Sequence, residues 1–215
     1  FMAVVEIVTV SFNGQKISTT AINGKWMVML QPMPYVTTPS SMIIMGKDTV
    51  TINDVLVGEV WLCSGQSNME KELGPRKGQK NVVNWEKERD EANYPLIRQY
   101  YVPEKISAEK ITDANSKWEV CSPETAPRFS AVGYFFVRDL YKKINVPVGM
   151  IFSAYGGTHA EDWTSKEALE ENKDLADLVA NYDTIMAHEW RPKGALKNGL
   201  YNGMLFPLLP YAIKG

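Results

Sequence analysis

Histidine is nearly absent from this chain: His159 and His188 are the only two in 215 residues. Cysteine is equally scarce, with Cys63 and Cys121 alone. Four such side chains at wide spacing make no zinc pattern, and two cysteines make no disulfide framework. A structural metal is therefore not expected. Cys63 lies inside an apolar run and reads as a small buried hydrophobe rather than a reactive thiol. Neither sign of charge is in excess. A net charge of −2 gives no reason to expect nucleic acid or an anionic membrane as partner. Long hydrophobic runs are missing too: the apolar stretch 204–213 is broken by Pro207 and Pro210 and is too short to cross a bilayer. The first residues, Phe1 to Glu6, carry no basic leader and no cleavage site, so no signal peptide is expected there, and both ends read as cut rather than finished.

What is present is an ordinary globular composition, 45% apolar and 22% charged. Residues 1–57 read as a β-rich module. Strands are expected at 8–12, 16–21, 26–30, 41–45 and 49–53, with Asn13-Gly14 and Asn23-Gly24 as hairpin turns. Prolines 32, 34 and 39 mark a connection. Such short strands suggest a small β-sandwich or part of one. From about Gly58 strand-like runs (59–64, 96–102, 148–154) alternate with helical stretches (81–93, 130–144, 166–172, 175–189). That alternation argues for an α/β layered domain with a mostly parallel sheet. In 130–144, Val132, Phe136, Leu140 and Ile144 recur every four residues with Phe135 beside them. Arg138, Asp139, Lys142 and Lys143 fall opposite, so the helix should pack that apolar stripe on a sheet. Ser130 is its expected N-cap, and Pro147 follows its end.

Two turns could carry chemistry. An apolar strand runs through Val60-Trp61-Leu62-Cys63 into Ser64-Gly65-Gln66-Ser67-Asn68. A strand end that presents a serine at a helix start exposes a hydroxyl nucleophile beside free backbone N–H groups. Ser67 would serve equally as a plain helix cap in a polar turn. The second turn is Ser153-Ala154-Tyr155-Gly156-Gly157-Thr158, again after an apolar strand. Paired glycines allow close backbone approach and make good oxyanion donors, although a simple tight loop has the same composition. Past them come Glu161, Trp163 and a capping box, Thr164-Ser165-Lys166-Glu167. Functional loops of open α/β sheets gather at the carboxyl ends of the strands, so two parallel strands would bring both turns together.

The block Gly58-Glu59-Val60-Trp61-Leu62-Cys63-Ser64-Gly65-Gln66-Ser67-Asn68-Met69-Glu70 resembles the first block of sialate O-acetylesterases and related carbohydrate acetylesterases of the SGNH hydrolase superfamily. Further similarity lies in Val132-Gly133-Tyr134-Phe135-Phe136, Val146-Pro147-Val148-Gly149-Met150-Ile151, Gly156-Gly157-Thr158, Glu161-Asp162-Trp163 and Leu200-Tyr201-Asn202-Gly203-Met204. The resemblance runs from about residue 8 to the end, in family order. It implies residues 58–215 as the N-terminal part of an incomplete, flavodoxin-like three-layer SGNH domain, preceded by the β-module. Ser67 becomes the nucleophile, and its N–H with that of Gly156 or Gly157 stabilises the oxyanion. Gln66, Asn68 and Glu161 line or brace the pocket for an acetylated sugar or glycan. Secretion or a periplasmic location is what the family suggests.

The resemblance also implies a Gln-Gly-Glu-type block and a late Asp-x-x-His block that supplies the base, and neither pattern occurs here. A nucleophilic serine needs a histidine in hydrogen-bond reach. His159 and His188 do not match the family's base, so this polypeptide alone is expected to be a poor esterase or none. The alternative is a carbohydrate-binding or structural remnant of the scaffold, with Trp163 and Trp190 as exposed aromatics. A lipase-type hydrolase is disfavoured because Gly-Gln-Ser-Asn is not Gly-x-Ser-x-Gly. Oligomeric state is not legible.

Overall fold

A computed structural model describes residues 5–186 and 197–215, the side chains of 183–186 excepted. His188, Trp190 and the expected helix end at 187–189 lie outside the described residues. The chain divides into two compact units, 1–58 and 59–215.

The first unit is one antiparallel sheet of four strands, β1 (Val5–Phe12), β2 (Gln15–Ile22), β3 (Val36–Met45) and β4 (Thr49–Val57), in the order β2-β1-β3-β4. Val8, Val10 and Phe12 alternate into the interior while Ile7 stays 69% exposed, the period of two that a sheet with one covered face requires. Asn13 and Gly14 sit at φ 46° and 77°, and Asn23 and Gly24 at 51° and 76°. Both are the positive pairs of a type I′ turn. One expectation is narrowed and one fails. The described residues of this unit form a single sheet, which answers to part of a sandwich and not to its two layers. Residues 26–30 are not a strand: after the Asn23-Gly24 turn only the Ile22–Lys25 pair closes, and the ladder stops. Pro32 and Pro34 bring no N–H to extend it. The segment is tied instead by Gln15, whose amide accepts from the Gln31 N–H at 2.8 Å and donates to the Gln31 carbonyl at 3.1 Å.

The second unit holds a mixed sheet, β5 (Glu59–Gly65), β6 (Tyr94–Tyr101), β7 (Trp118–Cys121) and β8 (Val148–Ala154), in the order β5-β8-β6-β7. β5, β8 and β6 are parallel; the short β7, which the sequence reading did not anticipate, runs antiparallel to β6. Alternate residues of the central strand β8 enter different clusters. Val148 and Met150 pack with Ile97, Tyr134 and Val137, while Ile151 packs with Val102, Leu200 and Met204. Both faces of the sheet are therefore covered, which suits a central strand that is apolar but for the buried Ser153. On the outer edge of β5, the Lys214 N–H donates to the Val60 carbonyl at 2.6 Å and the Gly215 carbonyl accepts from Leu62 at 2.8 Å.

The helices are α1 (Ser67–Glu70), α2 (Trp85–Asp90), α3 (Ala131–Ile144), α4 (Lys166–Glu171) and α5 (Ala176–Met186). α2 is shorter than the expected 81–93 because Asn84, at φ 59°, is left-handed and stops the helix there. α3 is capped by the Ser130 hydroxyl, which accepts from the Gly133 N–H at 3.2 Å. Its buried face differs from the expected stripe. Ala131, Gly133, Tyr134 and Val137 are buried, with Leu140 and Ile144 packed beside them, whereas Val132 and Phe136 are 50% and 41% exposed. Small residues decide the orientation, because they let the backbone come close: a Cβ on Gly133 would lie 2.2 Å from the Met150 sulfur. Arg138 is not on a solvated face either. It pairs with Glu88 and lies 4.9 Å over the Phe135 ring.

Candidate active site

The parallel pairing of β5 with β8 sets the geometry. Gly65 stands opposite Ala154, and the ladder ends with the Tyr155 N–H donating to the Gly65 carbonyl at 3.1 Å. Beyond that bond both chains turn at the same end of the sheet, one into Gln66 and Ser67, the other into Gly156 and Gly157. A Cβ placed on Gly156 would lie 3.5 Å from both Cα and Cβ of Ser67. The two turns touch.

Ser67 opens α1 and is exposed. Among the described residues its hydroxyl has no hydrogen-bond partner, so it does not cap the helix. The Gln66 backbone carbonyl accepts the Glu70 N–H at 2.9 Å, leaving the Ser67 N–H at the open start of the turn. Gln66 reaches across, its side-chain amide donating to the carbonyl of Thr158. Thr158 is buried, and its hydroxyl accepts from the Trp163 indole at 2.9 Å while donating to the Tyr155 carbonyl at 2.7 Å. Trp163 is thus only half-buried and partly committed to bracing this loop. Asn68 is exposed next to Ser67 on α1.

The two glycines are not equivalent. The Gly156 N–H donates to Glu70 Oε2 at 2.6 Å, whereas the Gly157 N–H has no acceptor among the described residues. Gly157 has φ 73°, which a side chain would strain. Glu70 is largely covered, its side chain 14% exposed, and its other oxygen pairs with Arg76 at 2.6 Å. That hydrogen bond raises the Arg76 guanidinium above its ordinary range.

After the glycines the chain enters a 3-10 turn, Ala160–Trp163, with His159 at its start. Glu161 is half-buried in that turn. The adjacent Asp162 is 2% exposed, and it accepts from the His159 N–H at 3.1 Å and from the Tyr182 hydroxyl. The third parallel strand, β6, ends at the same side of the sheet: Val102 N–H donates to the Phe152 carbonyl at 2.9 Å and the Tyr101 ring stacks on Phe152 at 5.4 Å. Burial, and then Glu104 and Glu70, raise the Tyr101 phenol; burial, and then Glu70, raise the Glu104 carboxyl. Among the described residues no group of acidic, histidine and cysteine side chains has the arrangement to hold a metal ion. No helix among them is long and apolar enough to cross a membrane.

Sequence reasoning singled out Ser67, Gly156, Gly157, Gln66, Asn68 and Glu161 but gave no role to Glu70, Arg76, Asp162 or Thr158. Glu70 lies three residues after Ser67, and Ser-x-x-Glu ordinarily signals a local capping box. Nothing in the sequence says that this carboxylate reaches another strand's turn.

Residues 57–196 match the family model described as carbohydrate esterase, sialic acid-specific acetylesterase. The chain is 29% identical over 212 residues to a sialate O-acetylesterase of Pongo abelii, covering 92% of this chain and 38% of that protein. It is 34% identical over 161 residues to a sialate O-acetylesterase of Mus musculus, covering 69% and 29%. A solved carbohydrate acetylesterase from Xanthomonas citri superposes with a TM-score of 0.79 at 30% identity, over 98% of this chain and 43% of that one. The chain therefore spans less than half the length of these relatives. It belongs to the sialic acid-specific acetylesterase family of carbohydrate esterases.

Proposed function

We propose that the gene product carrying this chain is a serine esterase that removes O-acetyl groups from sialic acid or another acetylated carbohydrate. The observation that carries the reading is the meeting of the Ser67 turn with the Gly156–Gly157 turn at one end of the parallel strands. The relatives' descriptions as sialate O-acetylesterase and carbohydrate acetylesterase supply the substrate class.

In this reading the Ser67 hydroxyl oxygen attacks the acetyl carbonyl carbon while a general base takes its proton. The carbonyl oxygen becomes an oxyanion that accepts from the Ser67 and Gly157 N–H groups. Since the Gly156 N–H is engaged with Glu70, Gly157 is the better placed of the two glycines. Such a donor is typically worth about 3–4 kcal/mol of barrier. Collapse of the tetrahedral adduct breaks the bond to the sugar oxygen, which leaves with the proton. Water then hydrolyses the acetyl-serine to acetate. Gln66, Asn68 and Glu161 line or brace the pocket, and no metal or organic cofactor enters the scheme.

His159 follows the glycines, but among the described residues it makes no hydrogen bond to Ser67. The family resemblance assigns the base to an Asp-x-x-His block, a pattern these 215 residues do not contain. Residues 58–215 are read accordingly as the N-terminal part of a three-layer, flavodoxin-like SGNH hydrolase domain, with residues 1–57 as its β-rich module. A secreted or periplasmic location follows from the same resemblance.

The test is acetate release from O-acetylated sugars by the complete gene product beside its Ser67→Ala variant. A loss of activity of 10³-fold or more is expected, the order that removal of a catalytic nucleophile produces. Equal rates would remove Ser67 from the mechanism. An inactive wild type that still binds acetylated glycans would make the scaffold a binding module.

A further inference from the structure

We infer that Glu70 is a positioning residue of this site, holding the Gly156–Gly157 turn in the orientation that leaves the Gly157 N–H for the oxyanion; this rests on the esterase reading above. Ser67 and Glu70 lie three residues apart on α1 and so share one side of its turn. Each borders Gly156: an added Cβ there would stand 2.5 Å from Glu70 Oε2 and 3.5 Å from the Ser67 Cβ. The hydrogen bond from Gly156 to Glu70, at 2.6 Å, is short and charge-assisted. It fixes the plane of the peptide between Tyr155 and Gly156, and so anchors the near end of the turn that carries the Gly157 N–H. Gln66 fixes the far side of the same turn by donating to the Thr158 carbonyl. Two side chains from the nucleophile's own turn thereby grip the donor turn at both ends.

A carboxylate this close to a developing oxyanion repels it unless a cation cancels its charge. Arg76 supplies that cation. One guanidinium nitrogen lies 2.6 Å from Glu70 Oε1 and another 3.5 Å from the Glu70 carbonyl. The pair lets Glu70 accept from Gly156 without presenting net negative charge to the carbonyl under attack. Removing Arg76 alone leaves the repulsion; removing both charges leaves an acceptor without it.

The experiment uses the complete gene product and four variants: Glu70→Ala, Glu70→Gln, Arg76→Met and the double variant Glu70→Gln with Arg76→Met. Amide hydrogen exchange at Gly156 is read alongside kcat and KM for an acetylated sugar. Glu70→Ala is expected to speed Gly156 exchange at least tenfold and to lower kcat 10- to 100-fold with KM changed less than threefold. Glu70→Gln retains an acceptor and should keep most of the protection, which guards against the alanine variant failing to fold. The double variant should have a higher kcat than Arg76→Met alone. Unchanged Gly156 exchange in Glu70→Ala, or a kcat within threefold of wild type, overturns the inference. So does a double variant slower than Arg76→Met. An inactive wild type refutes the esterase reading instead, and amide exchange then decides alone whether Glu70 holds the turn.

Discussion

Replacing Gly133 by alanine sets two known effects against each other, and the structure says which wins. Gly133 lies inside α3, where alanine is favoured over glycine by about 1 kcal/mol of helix propensity. Against this, the new Cβ would stand 2.2 Å from the Met150 sulfur, with Cys63 Sγ and Met150 Cε both at 3.4 Å. Carbon contacts settle near ~3.5–4.0 Å, so Met150 must retreat by roughly 1.5 Å. It has nowhere to go, being fully buried at 0% exposure in the centre of β8. Overpacking of this kind costs about 1–3 kcal/mol, and a displacement this large in a closed core belongs at the upper end. The expected net loss for Gly133→Ala is about 2 kcal/mol, a fall in the urea midpoint of roughly 0.5–1 M at an unchanged slope. Met150→Ala alone should cost about 2–5 kcal/mol through its cavity, and the double variant should be less destabilised than the sum by about 1–2 kcal/mol. A rise in the midpoint for Gly133→Ala, with no coupling to Met150, would refute the packing of α3 on β8.

Ser130→Ala removes the cap of α3 and also the hydroxyl that donates to the Met69 carbonyl at 2.6 Å, behind the nucleophile turn. A loss of about 2–3 kcal/mol in urea unfolding is expected, and a change below about 0.5 kcal/mol would show that the cap does not stitch that loop. Burial pushes the Cys63 thiol up to about 11 and Cys121 up to about 12, so native protein at pH 8 should react with a thiol reagent far more slowly than unfolded chain. The unfolded thiols ionise first, so the folded state holds more protons above their ordinary value of 9.0. The stabilisation is complete below pH 9 and is lost as pH rises toward 11 and 12, by about 3 kcal/mol for Cys63. Urea midpoints at pH 8 and pH 10 check the sign, and alanine at both positions should flatten the fall; rapid labelling of the native thiols at pH 8 would contradict it.

The strand-to-serine turn and the Gly-Gly turn were legible because each joins an apolar run to residues that bend a chain sharply. The parallel pairing that unites them followed from alternating strands and helices. The face of α3 was not legible. Apolar side chains occur nearly all round that helix, and the sequence shows the large ones of the stripe Val132, Phe136, Leu140, Ile144. Yet Gly133, the residue that permits close approach to β8, carries almost no hydrophobic signal, and Ala131 beside it carries little. Residues 26–30 read as a strand because their composition suits one, while the loss of ladder donors lies downstream at Pro32 and Pro34. Glu70 was hidden for a third reason. Its partner is a backbone N–H far along the chain, and no side-chain pattern marks such a contact.

The central claim is that one carbonyl lies between Ser67 and the glycine turn, and trapping it tests this most directly. The complete gene product, inactivated with an alkyl phosphonate ester and crystallised, should carry the adduct on Ser67 alone. Its phosphoryl oxygen should lie about 2.7–3.1 Å from the Ser67 and Gly157 nitrogens. An adduct on another residue, or a phosphoryl oxygen turned away from the Gly156–Gly157 turn, would contradict the account.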